Sequence, residues 1–136
     1  MDGVRQAQAR MDEPDSGMAE GLMAGNDLDG IPQLSARETH QMLVEHAGEP
    51  GPALIDVREV WEFQQGRAAG AVNIPMSEFR ARFGEVPRDR DVLFICHSGQ
   101  RSQVAARFVR QQGVLRVYNV DGGTEAWELA RLPMER

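Results

Sequence analysis

The fold of this chain is organised around one stretch, Asp91-Val92-Leu93-Phe94-Ile95-Cys96-His97-Ser98-Gly99-Gln100-Arg101-Ser102. The residues before the cysteine are mostly apolar and rich in β-branched and aromatic side chains, which predicts a buried strand. From Ser102 onward, the apolar residues at 104, 105, 108 and 109 fall on one helical face. The stretch therefore predicts a strand, a tight turn containing Gly99, and then a helix, with Cys96 at the carboxyl end of the strand.

This placement gives Cys96 a chemical environment that favours reactivity. The first N–H groups of a helix have no backbone partner, and a turn of inward-facing N–H groups binds anions. Such a turn, together with Arg101, favours a thiolate, whose pKa can fall from about 8.5 to roughly 3.5–7.5. A lone cysteine at the end of an apolar strand is more often a small buried hydrophobe. The polar run that follows Cys96 favours the reactive thiol instead.

Length and charge predict one domain preceded by an acidic tail. Residues 1–30 contain seven acids and two arginines, whereas the remainder of the 136 residues contains 14 acids and 13 arginines. This stretch is rich in Gly, Asp, Glu and small residues, and that composition with its net negative charge predicts that residues 1–30 are disordered or weakly ordered. Residues 31–136 form the expected folded domain. Because that domain is nearly neutral, we expect neither nucleic acid nor an anionic membrane as a partner.

The cysteine count and the amino terminus predict a cytoplasmic location. One cysteine cannot form an internal disulfide, and a free reactive thiol is typical of a reducing compartment. No basic segment followed by an apolar run marks a secretory signal, and no stretch reaches the length of a membrane span. We therefore expect a cytoplasmic protein.

Short apolar segments alternate with helical patterns along the chain. Strands are expected near residues 31–34, 53–57, 71–74, 91–95 and 115–120. Helices are expected from the Ser35–Glu38 capping box to about Ala47, over 59–65, from a cap at Ser77 to Gly84, from the cysteine loop to about 112, and around Trp127. This order predicts an α/β fold, a small parallel sheet of about five strands flanked by helices on both faces. Ligands bind such sheets at the carboxyl ends of the strands, where Cys96, Arg58 and Gly122 fall.

Several motifs, taken together, resemble those of the rhodanese (sulfurtransferase) family. They are Asp56-Val57-Arg58, Glu62-Phe63, Gly70-Ala71-Val72-Asn73-Ile74-Pro75, Cys-x-x-Gly-x-Arg-Ser at 96–102, Gly122-Gly123-Thr124-Glu125-Ala126-Trp127 and Leu132-Pro133. The order and spacing are those of a single rhodanese domain over roughly residues 31–134. Arg67, Ala68 and Ala69 stand where the family usually has His, Ile and Pro, so the conformation of that loop is left open.

The resemblance implies a sulfurtransferase in which Cys96 is the nucleophile and forms a persulfide. It implies that the loop His97, Ser98, Gly99, Gln100, Arg101 and Ser102 binds the substrate, with the N–H groups of residues 97–101 around the terminal sulfur and Arg101 on an anionic donor. Asp56 and Arg58 would support the site from behind, or form a structural pair linking loops. A small-molecule donor such as thiosulfate and a thiol, cyanide or protein acceptor are implied. Neither a metal nor an organic cofactor is needed.

Loop length separates this interpretation from phosphatase chemistry. Cysteine phosphatases carry a Cys-x5-Arg loop, whereas Arg101 follows Cys96 after four residues, which leaves less room for a phosphoryl group. A phosphatase or arsenate reductase on the same fold is therefore the less favoured alternative. A second alternative is a persulfide carrier or regulatory module that acts with one protein partner. The loop by itself does not distinguish that role from a sulfurtransferase.

Overall fold

The structure is a computed structural model that describes residues 30–48 and 50–136. The first 29 residues of the predicted acidic tail lie outside the described residues. In chain order the elements are β1 (Gln33–Leu34), α1 (Ala36–Glu45), β2 (Ala53–Asp56), α2 (Val60–Gln65), β3 (Arg67–Ala68), β4 (Val72–Asn73), α3 (Phe79–Arg82), β5 (Val92–Ile95), α4 (Gln100–Gln111), β6 (Val117–Val120), α5 (Gly123–Leu129) and β7 (Met134–Glu135). Two short 3₁₀ turns, Met76–Glu78 and Phe83–Glu85, flank α3.

A five-stranded sheet with the order β1-β6-β5-β2-β4 forms the centre of the fold. Strand β2 pairs in parallel with β4 and β5, and β5 pairs in parallel with β6. The register sets Asp56 opposite Ile95, so the carboxyl ends of β2 and β5 lie side by side. The predicted α/β fold with a parallel sheet of about five strands is confirmed.

Helices cover both faces of this sheet because successive side chains of a strand point to opposite faces. Leu93 and Ile95 join the core formed with Ala36 of α1 and Trp127 of α5. Phe94, on the opposite face, lies edge-on to Phe79 of α3, with ring centroids 5.9 Å apart, and Phe79 in turn contacts Phe108 of α4 at 6.2 Å. All four residues of β5 are buried, so this strand is covered on both faces, as expected for the central strand of a parallel sheet.

Helix α4 begins two residues earlier than the apolar pattern predicted. Gly99 adopts a left-handed conformation (φ +103°) and caps the helix, so Arg101 and Ser102 lie in its first turn rather than in the loop. The buried face also differs from the prediction, because Val104 is 48% exposed while Ala106 is fully buried. Because the helix begins at Gln100, its polar first turn lies close to the carboxyl end of β5.

Two further local predictions were wrong. Ser77 does not cap a helix, because it lies inside the 3₁₀ turn and its hydroxyl donates to Glu59 Oε1 at 2.6 Å. The segment predicted as a loop around Arg67 contains β3, which pairs in antiparallel fashion with β7. The Arg67 guanidinium lies 4.7 Å from the centre of the Phe63 ring and 3.7 Å from the Glu135 carboxylate. Contacts with Phe63 and Glu135 therefore hold the Arg67 side chain beside α2 and β7.

Candidate active site

Cys96 directly follows β5, and its side chain is enclosed by the turn that leads into α4. The residue is only 1% exposed. Its sulfur nevertheless faces polar groups, since Gly99 N–H donates to Sγ at 3.1 Å and the Ser102 hydroxyl lies 3.3 Å from Sγ. The turn between strand and helix therefore surrounds the sulfur with hydrogen-bond donors.

These donors determine the acidity of the Cys96 thiol. Burial by itself raises the pKa, because the charged form loses water. Hydrogen bonds from the Ser102 hydroxyl and from the N–H groups of Ser102, Gly99 and Ser98 favour the thiolate and outweigh burial. The net effect lowers the pKa of Cys96 below its ordinary value, and a thiolate is the nucleophilic form of cysteine.

The first turn of α5 holds the loop in this conformation from outside. Thr124 donates to the Cys96 carbonyl through its N–H at 2.8 Å and through its hydroxyl at 2.9 Å, and Glu125 N–H donates to the His97 carbonyl at 3.0 Å. The Ser98 N–H belongs to the same peptide as the His97 carbonyl, so the bond from Glu125 helps to turn this N–H towards the sulfur. Helix α5 thus helps to orient a donor to the sulfur.

The approach of α5 to the loop requires glycine at position 123. A Cβ added at Gly123 would lie 2.5 Å from both the Cys96 and the His97 carbonyl oxygens, and its φ is +59°. Gly99 faces a similar constraint, because its φ is +103° and a Cβ there would lie 3.2 Å from the nitrogen of Gly122. Glycines on both sides of the contact let the two backbones pack directly together.

Buried hydrogen bonds connect Asn119 on β6 to the groups around the sulfur. The Ser102 hydroxyl lies 2.6 Å from Asn119 Oδ1, and Asn119 Nδ2 donates to the Gly99 carbonyl at 3.1 Å. Ser102 is fully buried and Asn119 nearly so. Asn119 therefore connects Gly99 and Ser102, the two residues whose polar groups lie within hydrogen-bond distance of the sulfur.

Arg101 projects towards α2, where it forms an ion pair with Glu62. Its Nη1 lies 2.7 Å from Oε1 and its Nη2 lies 3.0 Å from Oε2. The hydrogen bonds from Arg101 lower the pKa of Glu62 to about 2, so this carboxylate is charged at any neutral pH. The same pair raises the pKa of Arg101, and the charge of Cys96 adds to that effect.

Behind this pair, Asp56 and Arg58 form a second, buried ion pair at the end of β2. Asp56 is fully buried and Arg58 is 6% exposed, with Arg58 Nη2 at 2.8 Å from Asp56 Oδ2. Arg58 Nη2 also donates to the Gly66 carbonyl at 2.7 Å. Asp56 and Arg58 therefore link the end of β2 to the segment after α2, the helix that carries Glu62.

The structure brings some of the predicted site residues together and separates others. Cys96, Gly99 and Ser102 meet at the sulfur, and the Ser98 N–H points to it. The side chains of His97, Ser98 and Gln100 are exposed, and Arg101 is paired with Glu62. The roles predicted for these side chains in substrate binding remain predictions.

Residue-level reasoning assigned no role to Glu62, Thr124 or Asn119 at this site. Glu62 and Thr124 stand in motifs that carried the family resemblance, but the pattern gave no partner for either. Asn119 had a detectable signal, because it is an amide in the otherwise apolar strand Val117-Tyr118-Asn119-Val120. A polar residue buried in a strand requires hydrogen-bond partners.

Over residues 30–48 and 50–136, no three His, Cys, Asp or Glu side chains lie close enough together to hold a metal ion. In the same part of the chain, no helix combines the length and apolar character that a membrane span requires.

Comparison with known proteins agrees with this architecture. A sulfurtransferase of Allochromatium vinosum is 42% identical over 81 residues, which is 60% of this chain and 76% of that protein. The thiosulfate sulfurtransferase GlpE of Vibrio cholerae is 38% identical over 82 residues, which is 60% of this chain and 77% of that protein. The putative sulfur carrier protein YrkF of Bacillus subtilis is 32% identical over 107 residues, 79% of this chain but only 56% of that protein.

A solved structure leads to the same family. The rhodanese-related protein of Thermoplasma volcanium superimposes with a TM-score of 0.67 at 30% identity, over 76% of this chain and 96% of that one. Residues 39–130 match the family model of the Rhodanese-like domain. With its parallel sheet and its cysteine loop, this chain belongs to the rhodanese-like family, which includes sulfurtransferases.

Proposed function

We propose that this protein is a sulfurtransferase that moves sulfane sulfur from a small anionic donor such as thiosulfate to a thiol or cyanide acceptor. The observation that carries the proposal is the set of donors on Cys96 Sγ, at 3.1 Å from Gly99 N–H and 3.3 Å from the Ser102 hydroxyl. These groups stabilise the thiolate in a loop with the short Cys-x4-Arg spacing. Relatives named sulfurtransferase and thiosulfate sulfurtransferase support the same reaction class.

The reaction would proceed by double displacement through a covalent intermediate. The Cys96 thiolate attacks the outer sulfur of thiosulfate, a bond forms between the two sulfurs, and sulfite leaves with the electrons of the broken S–S bond. The persulfide that remains on Cys96 carries its negative charge on the outer sulfur. An acceptor thiolate or cyanide then attacks that outer sulfur, and the Cys96 thiolate is regenerated.

The enclosure of Cys96 favours a small donor. Cys96 is 1% exposed, so a reactant must reach the sulfur through a narrow approach, which favours a small donor over a bulky one. Phosphoryl transfer would require the loop to surround a tetrahedral group, which the short loop disfavours. We therefore regard a phosphatase or arsenate reductase as the less supported function of this fold.

A persulfide carrier that acts with a protein partner is the second candidate. The similarity to the putative sulfur carrier YrkF favours it, although this chain spans about half of that protein. A carrier would form the same persulfide but react slowly with free cyanide or small thiols.

The single free thiol also supports placing either activity in a reducing compartment such as the cytoplasm.

Intact-protein mass spectrometry after thiosulfate treatment tests the proposal. We expect the mass to rise by one sulfur atom, the addition to be removed by cyanide, and Cys96→Ser to show no addition. Leu115→Ser is a matched control, because it introduces the same residue at a position that is 69% exposed and precedes β6, at the opposite end of the strands from Cys96. An unmodified protein that instead hydrolyses an aryl phosphate would overturn the proposal in favour of a phosphatase.

A further inference from the structure

The Ser102 hydroxyl has two possible acceptors for its one hydrogen, the Cys96 sulfur and the side-chain oxygen of Asn119. The Ser102 hydroxyl lies within hydrogen-bond distance of both Cys96 Sγ (3.3 Å) and Asn119 Oδ1 (2.6 Å). A serine hydroxyl has one hydrogen, so it donates to one of these atoms at a time. The shorter distance indicates that Asn119 receives the hydrogen in the arrangement seen here.

The orientation of the Asn119 amide is fixed by its contact with the Gly99 carbonyl. The Gly99 carbonyl, 3.1 Å away, only accepts hydrogen bonds, so it must face Nδ2. Oδ1 therefore faces Ser102 and acts as an acceptor for its hydroxyl. Gly99 also donates its N–H to Cys96 Sγ, which closes a ring of hydrogen bonds through Cys96, Ser102, Asn119 and Gly99.

We propose that Asn119 is a positioning residue. Its Oδ1 accepts the hydrogen bond of the Ser102 hydroxyl when the Cys96 sulfur is uncharged, and the hydroxyl donates to the sulfur instead when the thiolate forms. In the thiol state, S–H donates to Ser102 Oγ and the hydroxyl donates to Asn119. Ionisation removes the thiol proton to solvent, and the hydroxyl turns to the negative sulfur. In the persulfide, the charge lies on the outer sulfur, so the hydroxyl returns to Asn119.

The persulfide step of this inference rests on the proposed function, whereas the thiol and thiolate steps do not. Charged groups around the sulfur act in addition to this exchange. Arg101 favours the thiolate from α4, and Glu62 on α2 neutralises part of that effect. The Asp56–Arg58 pair flanks the site from β2, the His97 side chain is exposed beside it, and Glu125 is exposed on α5. None of these groups shares the Ser102 hydrogen.

Ultraviolet titration of the thiolate tests the exchange directly, because Cys96 is the only cysteine in the chain. Asn119→Leu removes the competing acceptor, so the thiolate fraction at a fixed pH below the pKa should rise about three- to tenfold. Ser102→Ala should lower that fraction. In the Ser102→Ala background, Asn119→Leu should have no further effect, since the hydrogen being exchanged is absent.

Thr39→Val, which also replaces a fully buried polar side chain by an apolar one but lies on α1, controls for a general loss of packing and should leave the titration unchanged. An Asn119→Leu variant that lowers the thiolate fraction, or that changes it equally in both backgrounds, would overturn the proposal. None of these titrations requires sulfur transfer, so their outcome is separate from that of the proposed function.

A measurement on the unmodified protein covers the case in which Asn119→Leu does not fold. The ¹³Cγ resonance of Asn119 should shift with the same midpoint as the ionisation of Cys96, because the Ser102 hydroxyl no longer donates to Oδ1. Ser102→Ala should remove most of this shift. A shift of full size in Ser102→Ala would mean that Asn119 senses only the charge of the sulfur, and would overturn the exchange.

Discussion

Arg101 and Glu62 are held together by two parallel hydrogen bonds of 2.7 and 3.0 Å, although they are 39 residues apart in the chain. Glu62 is on α2 and Arg101 is in the first turn of α4, so the pair joins two helices beside Cys96. The family resemblance implied that Arg101 binds the anionic donor. In this structure a donor would have to share the guanidinium with a carboxylate that is already bound.

This relationship predicts that Glu62→Gln strengthens binding of anionic donors. Removing the carboxylate charge leaves Arg101 with its full positive field, so KM for thiosulfate should fall about three- to tenfold. Glutamine is chosen because Glu62 Oε1 also accepts from the Glu59 N–H at 2.9 Å, and Gln can keep that helix cap. Steady-state kinetics at low and high salt measure the effect, which should shrink as salt increases.

Glu59→Gln is the matched control, since it neutralises the carboxylate of the residue that precedes the same helix, and this carboxylate binds Ser77 rather than Arg101. Its KM for thiosulfate should remain near that of the parent protein. A higher KM in Glu62→Gln would contradict the prediction and would mean that Glu62 holds Arg101 in its binding position.

The same ion pair predicts a loss of stability in acid. The pKa of Glu62 is lowered from 4.5 to about 2 by folding, so the unfolded state binds more protons than the native state between these values. The contribution is therefore present above pH 4.5 and lost as pH falls towards 2. Because Arg101 is 38% exposed, we expect only about 1–2 kcal/mol.

Urea unfolding at several pH values measures this contribution as the difference between the parent protein and Glu62→Gln. The difference should narrow as the pH falls below 4.5. Glu45→Gln, which removes an exposed carboxylate that accepts from the Gln41 amide rather than from a guanidinium, should parallel the parent protein over the same range. A difference that stays constant down to pH 2 would argue against ionisation as its cause.

Gly123→Ala should damage both stability and sulfur transfer. The new Cβ would lie 2.5 Å from the Cys96 and His97 carbonyls, and φ is +59°, so either the loop or α5 must move. We expect a loss of about 2 kcal/mol or more in the free energy of unfolding. Thermal unfolding and persulfide formation provide the two measurements.

Gly84→Ala serves as the control for Gly123→Ala, because a Cβ at position 84 meets no atom within 4 Å. Its stability should change little, and persulfide formation should be unaffected. If Gly123→Ala forms persulfide at the parental rate, the contact between α5 and the loop does not orient the groups around the sulfur.

Breaking the buried pair at the end of β2 should be costly. Asp56→Asn leaves the Arg58 guanidinium, which is 6% exposed, without a charged partner, and such changes typically cost about 3–5 kcal/mol. Asp91→Asn provides the comparison, because its partner Arg116 has a side chain that is 57% exposed, and should cost less than about 1 kcal/mol. Chemical denaturation of both variants measures the contrast, and equal losses would be inconsistent with the buried geometry.

Local patterns were sufficient to predict the central elements of the fold. Apolar residues at 92–95 predicted β5, and the Ser35–Glu38 capping box occurs at the start of α1 as expected. They failed where a distant contact determined the local structure. Arg67–Ala68 forms a strand because Met134–Glu135 pairs with it, and a pattern at one position does not contain its partner.

The same limit applies to the candidate site. The sequence placed Cys96 between a strand and a helix, and a resemblance spread over several motifs identified the family. The sequence did not show that Trp61, on α2, would be 63% exposed or that α4 would begin at Gln100. Such details depend on how neighbouring elements pack.

By itself, the sequence determined the order of the helices and of the strands of the central sheet, the position of the single thiol and the donor-rich turn beside it. Hydrophobic periodicity and helix ends are local properties, and neighbouring residues encode them. Only the tertiary structure decided that Glu62 pairs with Arg101, that Thr124 holds the Cys96 carbonyl and that Asn119 shares the Ser102 hydroxyl with the sulfur. Each of these contacts joins residues far apart in the chain, and only the packing of β6, α2 and α5 around the loop brings them within hydrogen-bond distance.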